Sequence, residues 1–369
     1  MAKVIVGLEV GTGAVKAVEL TLRKNSRRLR KLARLEMPFE DHGHTKREKI
    51  MVKLIKDLIS KYRINTRRVV SGVGGESVIV RRITLPLMTE KEISQAVKWQ
   101  AEEYIPYSMD QVYLGYHVLN QRFSEEKREE MAVILVGVKR ETIEKHLWLL
   151  RQAGISPQAI GVNTVALFNV FQLSNLDETD GIAILEIGHS TTSIVLLDKG
   201  SPSLIRDVNL AGFHITETIA EKIGTSFATA EQIKQRYGLV TSNGSEGEVY
   251  LNDALKEPGV KGEVDESLVD QIIRKSMEDL VEEIIHSFEY YASQREGRPI
   301  KKVVLSGGSS QLRNIDKFLS EELGLPVKII SPFAKITYES KEFQPDYLAR
   351  VGPMFTVALG FALQEVKQI

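Results

Sequence analysis

The chain has 369 residues, with 49 Lys plus Arg against 49 Asp plus Glu, 43% hydrophobic and 27% charged residues, and no cysteine. At about 150 residues per domain this length predicts two to three domains with large buried cores, and the composition excludes a disordered, collagen-like or fibrous chain. Zero net charge offers no global field for nucleic acid, so an anionic partner needs a local patch; the missing thiols exclude disulfides, a thiol nucleophile and Cys-ligated zinc, and a cytoplasmic setting is expected.

In chain order, Met1-Ala2-Lys3-Val4 runs straight into a strand-like segment without the apolar core of a signal peptide, so export by that route is not expected. Lys3 to Val10 and Val15 to Leu22 read as a hairpin. The basic run Arg23, Lys24, Arg27, Arg28, Arg30, Lys31 and Arg34 follows, read either as a solvated hairpin tip or as a patch for anionic lipid headgroups or an acidic partner. Apolar residues between Ile50 and Tyr62 form a helical stripe, and Val69 to Val73 reads as a strand. Thr89-Glu90-Lys91-Glu92 is a capping box opening a helix that Pro106 ends. Strands at Val112 to Leu119 and Met131 to Val138 and a helix at Glu141 to Ala153 complete an αββα-type insertion over residues 82–155. A polar linker at Asn175 to Asp180 precedes a second hairpin, Gly181 to Ile187 into Ser193 to Asp198. Helices are predicted at Ala211 to Ile223 and Thr229 to Arg236, a loop at Thr241 to Glu266, and a helix at Leu268 to Gln294. Lys301 to Leu305 reads as a strand leading through Ser306-Gly307-Gly308-Ser309 into a helix at Gln311 to Leu323. The apolar stretch Val351 to Leu363 carries Gly352, Pro353 and Gly360 and falls short of the roughly 18 residues of a spanning helix.

The chain echoes itself. Leu8-Glu9-Val10-Gly11 recurs as Leu185-Glu186-Ile187-Gly188, with Val18 matching Val195 and Leu20 matching Leu197. Each copy is a strand with a carboxylate two positions before a glycine, a turn of small residues and a second strand. Such turns present successive backbone N–H groups at which phosphate oxygens can be cradled, although a glycine turn alone is also an ordinary turn. Two copies in register, with Gly307-Gly308 as a third turn, suit a nucleotide between two duplicated domains, the carboxylates holding a hydrated divalent ion.

This constellation resembles the actin, Hsp70 and sugar-kinase superfamily, and within it is most similar to the PilM family of type IV pilus assembly proteins, with FtsA as a cousin. Residues 7–20 match the phosphate-1 motif, Leu185 to Ser193 the phosphate-2 motif and Leu305 to Leu312 the adenosine motif. Arg82-Ile83-Thr84-Leu85-Pro86 and Glu102-Glu103-Tyr104-Ile105-Pro106 resemble the 1C subdomain shared by PilM and FtsA. The resemblance implies an α/β, actin-like (ribonuclease H-like) fold of duplicated domains around a nucleotide cleft. Residues 1–81 would open subdomain 1A, 82–155 form 1C, 156–180 return to 1A, 181–210 open 2A, 211–299 form 2B, 300–330 complete 2A and 331–369 return to 1A. It further implies that ATP or ADP is held by Gly11, Thr12, Gly13, Lys16, Gly188, His189, Ser190, Thr191, Thr192, Gly212, Glu231, Lys234, Gly307, Gly308 and Ser309, with Mg2+ at Glu9 and Glu186.

Read without the resemblance, Lys16 is equally a solvated charge on a strand edge, Glu231 and Lys234 are an ordinary helix-surface ion pair, and His189 either donates to phosphate or points to solvent. The family usually carries Asp where this chain has Glu9 and Glu186, and tends to show an acid near Gly161 and Asn163. A neutral amide cannot act as a general base, so slow or absent hydrolysis is expected. The implied partner is the N-terminal peptide of a PilN-like inner-membrane protein, lying in a groove beside the insertion and holding the chain peripherally at that membrane. Other pilus assembly proteins are further partners, homo-oligomerisation stays open and no nucleic acid is expected. The competing readings are an FtsA-like filament-forming division protein and a sugar kinase or phosphatase, which would need a base and a substrate pocket.

Overall fold

The computed structural model describes residues 3–24, 26–38, 44–123, 129–173, 181–240, 265–294 and 299–364. The polar linker and nearly all of the excursion from Thr241 to Glu266 lie outside them. The duplication legible in the hairpins extends to whole sheets. β1 (Lys3–Val10), β2 (Ala14–Arg23) and β3 (Ser26–Glu36) form an antiparallel meander, and β4 (Val69–Val73) and β8 (Ala159–Val162) add in parallel on the far side of β1, giving the order β3-β2-β1-β4-β8. The second sheet repeats this: β9 (Gly181–Ile187), β10 (Thr192–Asp198) and β11 (Ser201–Val208) are antiparallel, and β12 (Ile300–Ser306) and β13 (Val327–Ile329) run parallel to β9 in the order β11-β10-β9-β12-β13.

Strand alternation divides each sheet into an outer and an inner face. The outer face of the first sheet packs Val6, Leu8, Val15 and Ala17 on Met51, Ile55 and Leu58 of α1 (His44–Tyr62), which begins with a polar turn and a half before the apolar stripe that opens at Ile50. The outer face of the second packs Ala183, Leu185, Ile194 and Leu196 against α5 (Gly212–Ile223), α6 (Phe227–Tyr237) and α7 (Glu266–Ser293). The inner faces, Val18 and Leu20 on one side and Ile182, Ile184, Val195 and Leu197 on the other, share one core with α4 (Asn163–Leu173) and α10 (Thr356–Leu363). α10 is apolar all round, as a helix with no solvent face must be. Glycines bring it into backbone contact: a Cβ at Gly7 would lie 1.9 Å from Ala358 O, and one at Gly360 1.9 Å from Ala166 O. Gly72 and Gly161, paired across β4 and β8, make room for the Phe361 ring.

The insertion differs from the αββα reading. β5 (Val78–Pro86), β6 (Val112–Phe123) and β7 (Glu129–Lys139) form a sheet in the order β5-β7-β6, with α2 (Glu90–Tyr104) covering one face. Its first strand thus starts four residues before the expected boundary at 82; Arg81 and Arg82 interrupt the apolar alternation that would have marked it. α3 (Arg140–Gln152) is not part of it, because Leu149 and Leu150 pack in the α1 core. The Thr89 capping box forms as expected. Lys139 N–H donates to Ser77 O at 3.1 Å, so the insertion leaves and rejoins the first sheet at adjacent points. The helix expected at Gln311 to Leu323 is interrupted: Gly308–Gln311 is a 3-10 turn, Asn314 takes φ 60°, and α8 (Ile315–Leu323) starts after it, followed by the short α9 (Pro345–Val351) before α10. No helix among the described residues is long and apolar enough to cross a membrane.

Behind β1, Ser71 Oγ donates to Leu8 O at 2.7 Å and lies 2.9 Å from His146 Nε2 on α3. His146 is buried, and desolvation lowers its pKa from the ordinary 6.5 to about 4. The unfolded chain binds this proton more readily, so between those two values stability falls as pH falls. The loss should reach about 3 kcal/mol on going from pH 6.5 to 4. Urea titrations across that range should show this slope in the natural chain and a flatter one in His146→Gln.

Candidate functional site

The inner-face alternation of β1 runs Ile5, Gly7, Glu9, and that of β9 runs Ile182, Ile184, Glu186, so both carboxylates continue the inter-sheet core to the ends of their strands. There they face each other across the cleft. Glu9 is buried opposite Lys16 in register, and Lys16 Nζ donates to Glu9 Oε1 at 2.6 Å. Lys16 is therefore no solvated strand-edge charge; β2 is an interior strand. Glu9 Oε2 is buried with no hydrogen-bond partner among the described residues. Burial and the Glu9 carboxylate, joined by Asp207 and opposed by Lys16, push the Glu186 carboxyl up to about 7.

The turns beyond these acids close alike: Gly11 N–H donates to Ala14 O and Gly188 N–H to Thr191 O, each at 3.0 Å. They also meet. A Cβ at Gly13 would lie 2.6 Å from the His189 ring, so His189 packs against the first turn, with Phe213 edge-on to it at 5.5 Å. Thr12 is exposed, and its carbonyl accepts from Arg47 at 3.0 Å. Gly307 takes φ +94°, and a Cβ there would come within 2.3 Å of Ile187 O and 2.8 Å of Glu186 Oε1, which puts the third turn directly against the second. A Cβ at Gly308 would meet nothing within 4 Å. Ser309 Oγ donates to Gly188 O at 2.9 Å, and a Cβ at Gly212 would lie 2.5 Å from that hydroxyl.

Other predicted residues are spent internally. Thr192 is buried and donates to Leu210 O at 2.6 Å. Lys234 commits its three N–H groups to Gly212 O at 2.9 Å, Thr216 Oγ1 at 2.7 Å and Glu231 Oε2 at 2.7 Å. This pair is buried, not a helix-surface pair. Burial pushes the Glu231 carboxyl up, but Lys234 together with hydrogen bonds from Lys234, Thr216 and Gln235 holds it below the ordinary value. Lys234 thus positions the Gly212 backbone beside Ser309. The basic run lies along β3 as well as at the tip: Arg30 and Lys31 flank buried Glu19 at 3.4 and 3.6 Å, and Arg28 pairs with Glu339.

Asp207 is the site residue that motif reading missed. It stands opposite Ser193 on β11, as Arg34 stands opposite Lys16 on β3, so the duplicated register could have found it. It accepts from Ser193 Oγ at 2.6 Å and from Gly75 N–H at 2.8 Å, a hydrogen bond joining the two halves; burial raises its pKa against these bonds. Asn163 packs beside Gly74 with its Oδ1 buried and unpartnered among the described residues. No cluster of three acidic or histidine side chains suited to a metal ion occurs among the described residues.

Two sheets of identical strand order, enclosing paired helices and facing each other across glycine turns that carry strand-borne carboxylates, define an actin-like fold. MreB5 of Spiroplasma citri bound to ADP shares it at TM-score 0.50 and 14% identity, over 97% of this chain and 94% of that one. The profile of the family described as type IV pilus assembly protein PilM matches residues 7–246, and the chain belongs to that family. A solved PilM-PilN type IV pilus biogenesis complex matches with TM-score 0.80 and 28% identity over 97% of both chains. The profile of cell division protein FtsA matches residues 183–360. FtsA of Helicobacter pylori is 22% identical over 298 residues, 74% of this chain and 59% of that protein, and FtsA of Agrobacterium fabrum 27% identical over 197 residues, 51% and 41%. The chain spans less than two thirds of the length of these curated relatives.

The Lys234 network makes a direct prediction. Lys234→Met leaves the Glu231 carboxylate buried without its cation and should cost about 3–5 kcal/mol in urea unfolding. Adding Glu231→Leu should recover much of that loss, giving a large coupling in the double-mutant cycle.

Proposed function

We propose that this chain is an actin-like component of type IV pilus assembly that binds an adenine nucleotide between its two sheets and docks the N-terminal peptide of a PilN-like inner-membrane protein. The observation that carries the reading is the convergence of three glycine turns, distant in sequence, on Glu9 and Glu186. Backbone N–H groups of the first two turns and the hydroxyls of Thr12 and Ser190 would receive phosphate oxygens, and Gly307 and Gly308 let the third turn approach the nucleoside side. The lone unpartnered oxygen of Glu9 and the like-charge load on Glu186 fit a cation between them. Mg2+ held there through water would neutralise phosphate charge, since this ion keeps most of its hydration and shares phosphate ligands. The nucleotide would act as a clamp between the halves, alongside the Gly75 to Asp207 bond.

Asn163 offers an amide where a general base would need a carboxylate, so turnover should fall far below the median enzyme rate of about 10 per second. The insertion supplies what a nucleotide site does not need: a capped helix whose Trp99 is 79% exposed. The PilM-PilN complex is the precedent for a partner of this class. The protein would then be cytoplasmic and peripheral to the inner membrane through that partner.

Calorimetry should detect ATP binding with Mg2+ in the natural chain and little in Gly308→Asp, which places a carboxylate by the phosphates where a side chain meets no steric obstacle. Absence of binding in the folded natural chain would overturn the nucleotide reading. Substituting Trp99→Ser with Tyr104→Ser, both exposed on α2, leaves intact the face of the insertion that carries Val80, Ile134 and Val138 into the shared core. This variant, once shown to be folded, should lose co-sedimentation with membranes containing the partner; retained binding would place the docking surface elsewhere.

A further inference from the structure

The zero net charge of the chain conceals a strong asymmetry. Residues 1–68 hold 18 of the 49 Lys and Arg and 7 of the 49 Asp and Glu, a balance of +11 that the remaining residues offset with −11. The fold gathers much of this charge at one pole. The start of β1 pairs with the end of β2, placing Lys3 opposite Leu22 beside the hairpin tip that carries Arg23, Lys24 and Arg27. Val6 N–H donates to Arg68 O, Lys31 reaches Arg63 O, and Asn65 N–H donates to Glu19 Oε2 at 3.0 Å, so the link from α1 to β4, with Lys61 and Arg67, lies at the same end. Eight residues of β1 separate this pole from the Gly11 turn, about 25 Å, too far to serve nucleotide phosphates.

Two of the acids at the pole are already engaged, and exposed Asp57 lies one helical turn before Lys61. Glu19 is flanked by Arg30 and Lys31, and Glu339 by Arg28. Lys3, Arg23, Lys24, Arg27, Lys61 and Arg67 are exposed and make no ion pair among the described residues. None of the exposed large apolar side chains of the described residues falls within 3–68, so no exposed aromatic or aliphatic anchor for a peptide or a base is offered there; the hollow beside Lys61 is lined by half-buried Leu35 and Leu54 with Asp57 and Ser60. A charged face drawn from several elements and without such anchors is the complement of a planar array of anionic headgroups. The opposite charge on the rest of the chain would turn the same pole toward that array.

We propose that this pole is a contact surface for the anionic headgroups of a lipid bilayer. The inference rests on the charge distribution and not on the nucleotide or the partner peptide. Its test is co-sedimentation of the full chain with protein-free vesicles of phosphatidylcholine, with and without phosphatidylglycerol. Binding is expected only with the anionic lipid and should be abolished in high salt, where the screening length shrinks to about 3 Å at 1 M. The triple variant Arg23→Gln, Lys24→Gln, Arg27→Gln should lower the partition coefficient roughly 100-fold, and the separate pair Lys61→Gln, Arg67→Gln roughly 10-fold or more. Equal binding to neutral vesicles, or undiminished binding by both folded variants, would overturn the proposal. So would retention on polyglutamate or an oligonucleotide with no binding to anionic vesicles. Because the vesicles contain no protein, failure here leaves the PilN-like docking untouched, and failure of that docking leaves this result standing.

Discussion

The close approach of α10 to its neighbours is the constraint on which the rest of the molecule depends. Gly7 and Gly360 let the helix backbone meet β1 and α4, and Gly72 and Gly161 seat Phe361 on the first sheet. With α10 and α4 filling the space between the sheets, the inner faces of both are committed to one shared core. That commitment fixes which residues can stand at the strand ends. Because alternation has a period of two, Glu9 and Glu186 cannot point anywhere but into the cleft without turning Ile5 or Ile184 out of the core. Packing some distance from the cleft therefore sets the electrostatics inside it.

Those electrostatics are asymmetric although the scaffold is duplicated. In the first half the strand-borne carboxylate meets Lys16, with Arg34 one strand further; at the same register positions the second half has Ser193 and Asp207. One carboxylate is ion-paired and the other is pressed toward neutrality by burial and by acidic neighbours. Duplication supplied the geometry, and divergence at two register positions made the two walls chemically different.

Much of this was legible from residues alone. The repeated Leu-Glu-hydrophobic-Gly segment announced both hairpins, and the Thr89 to Glu92 box announced α2, because each is a local pattern with a local cause. Asp207 was not legible as a site residue, since its role arises from a strand pairing and from a hydrogen bond to Gly75, 132 residues away. The β5 boundary was hidden by Arg81 and Arg82, which project from a strand whose partner, β7, lies about fifty residues on. The break before α8 turns on a single left-handed residue, Asn314, whose side chain is held by Leu239 O across the domain. In each case a long-range contact overrode a plausible local reading.

The insertion is anchored on two sides for different reasons. Its ends meet at the Ser77 to Lys139 bond, which makes it a self-contained excursion from the first sheet. Yet Val80, Ile134 and Val138 on the face away from α2 belong to the core that the two sheets share. It is thus joined like a detachable part but seated like a keystone. Substitutions on the exposed face of its outer helix leave the shared core intact, whereas a shift of the sheet beneath it reaches the wall of the cleft through Val80, Ile134 and Val138.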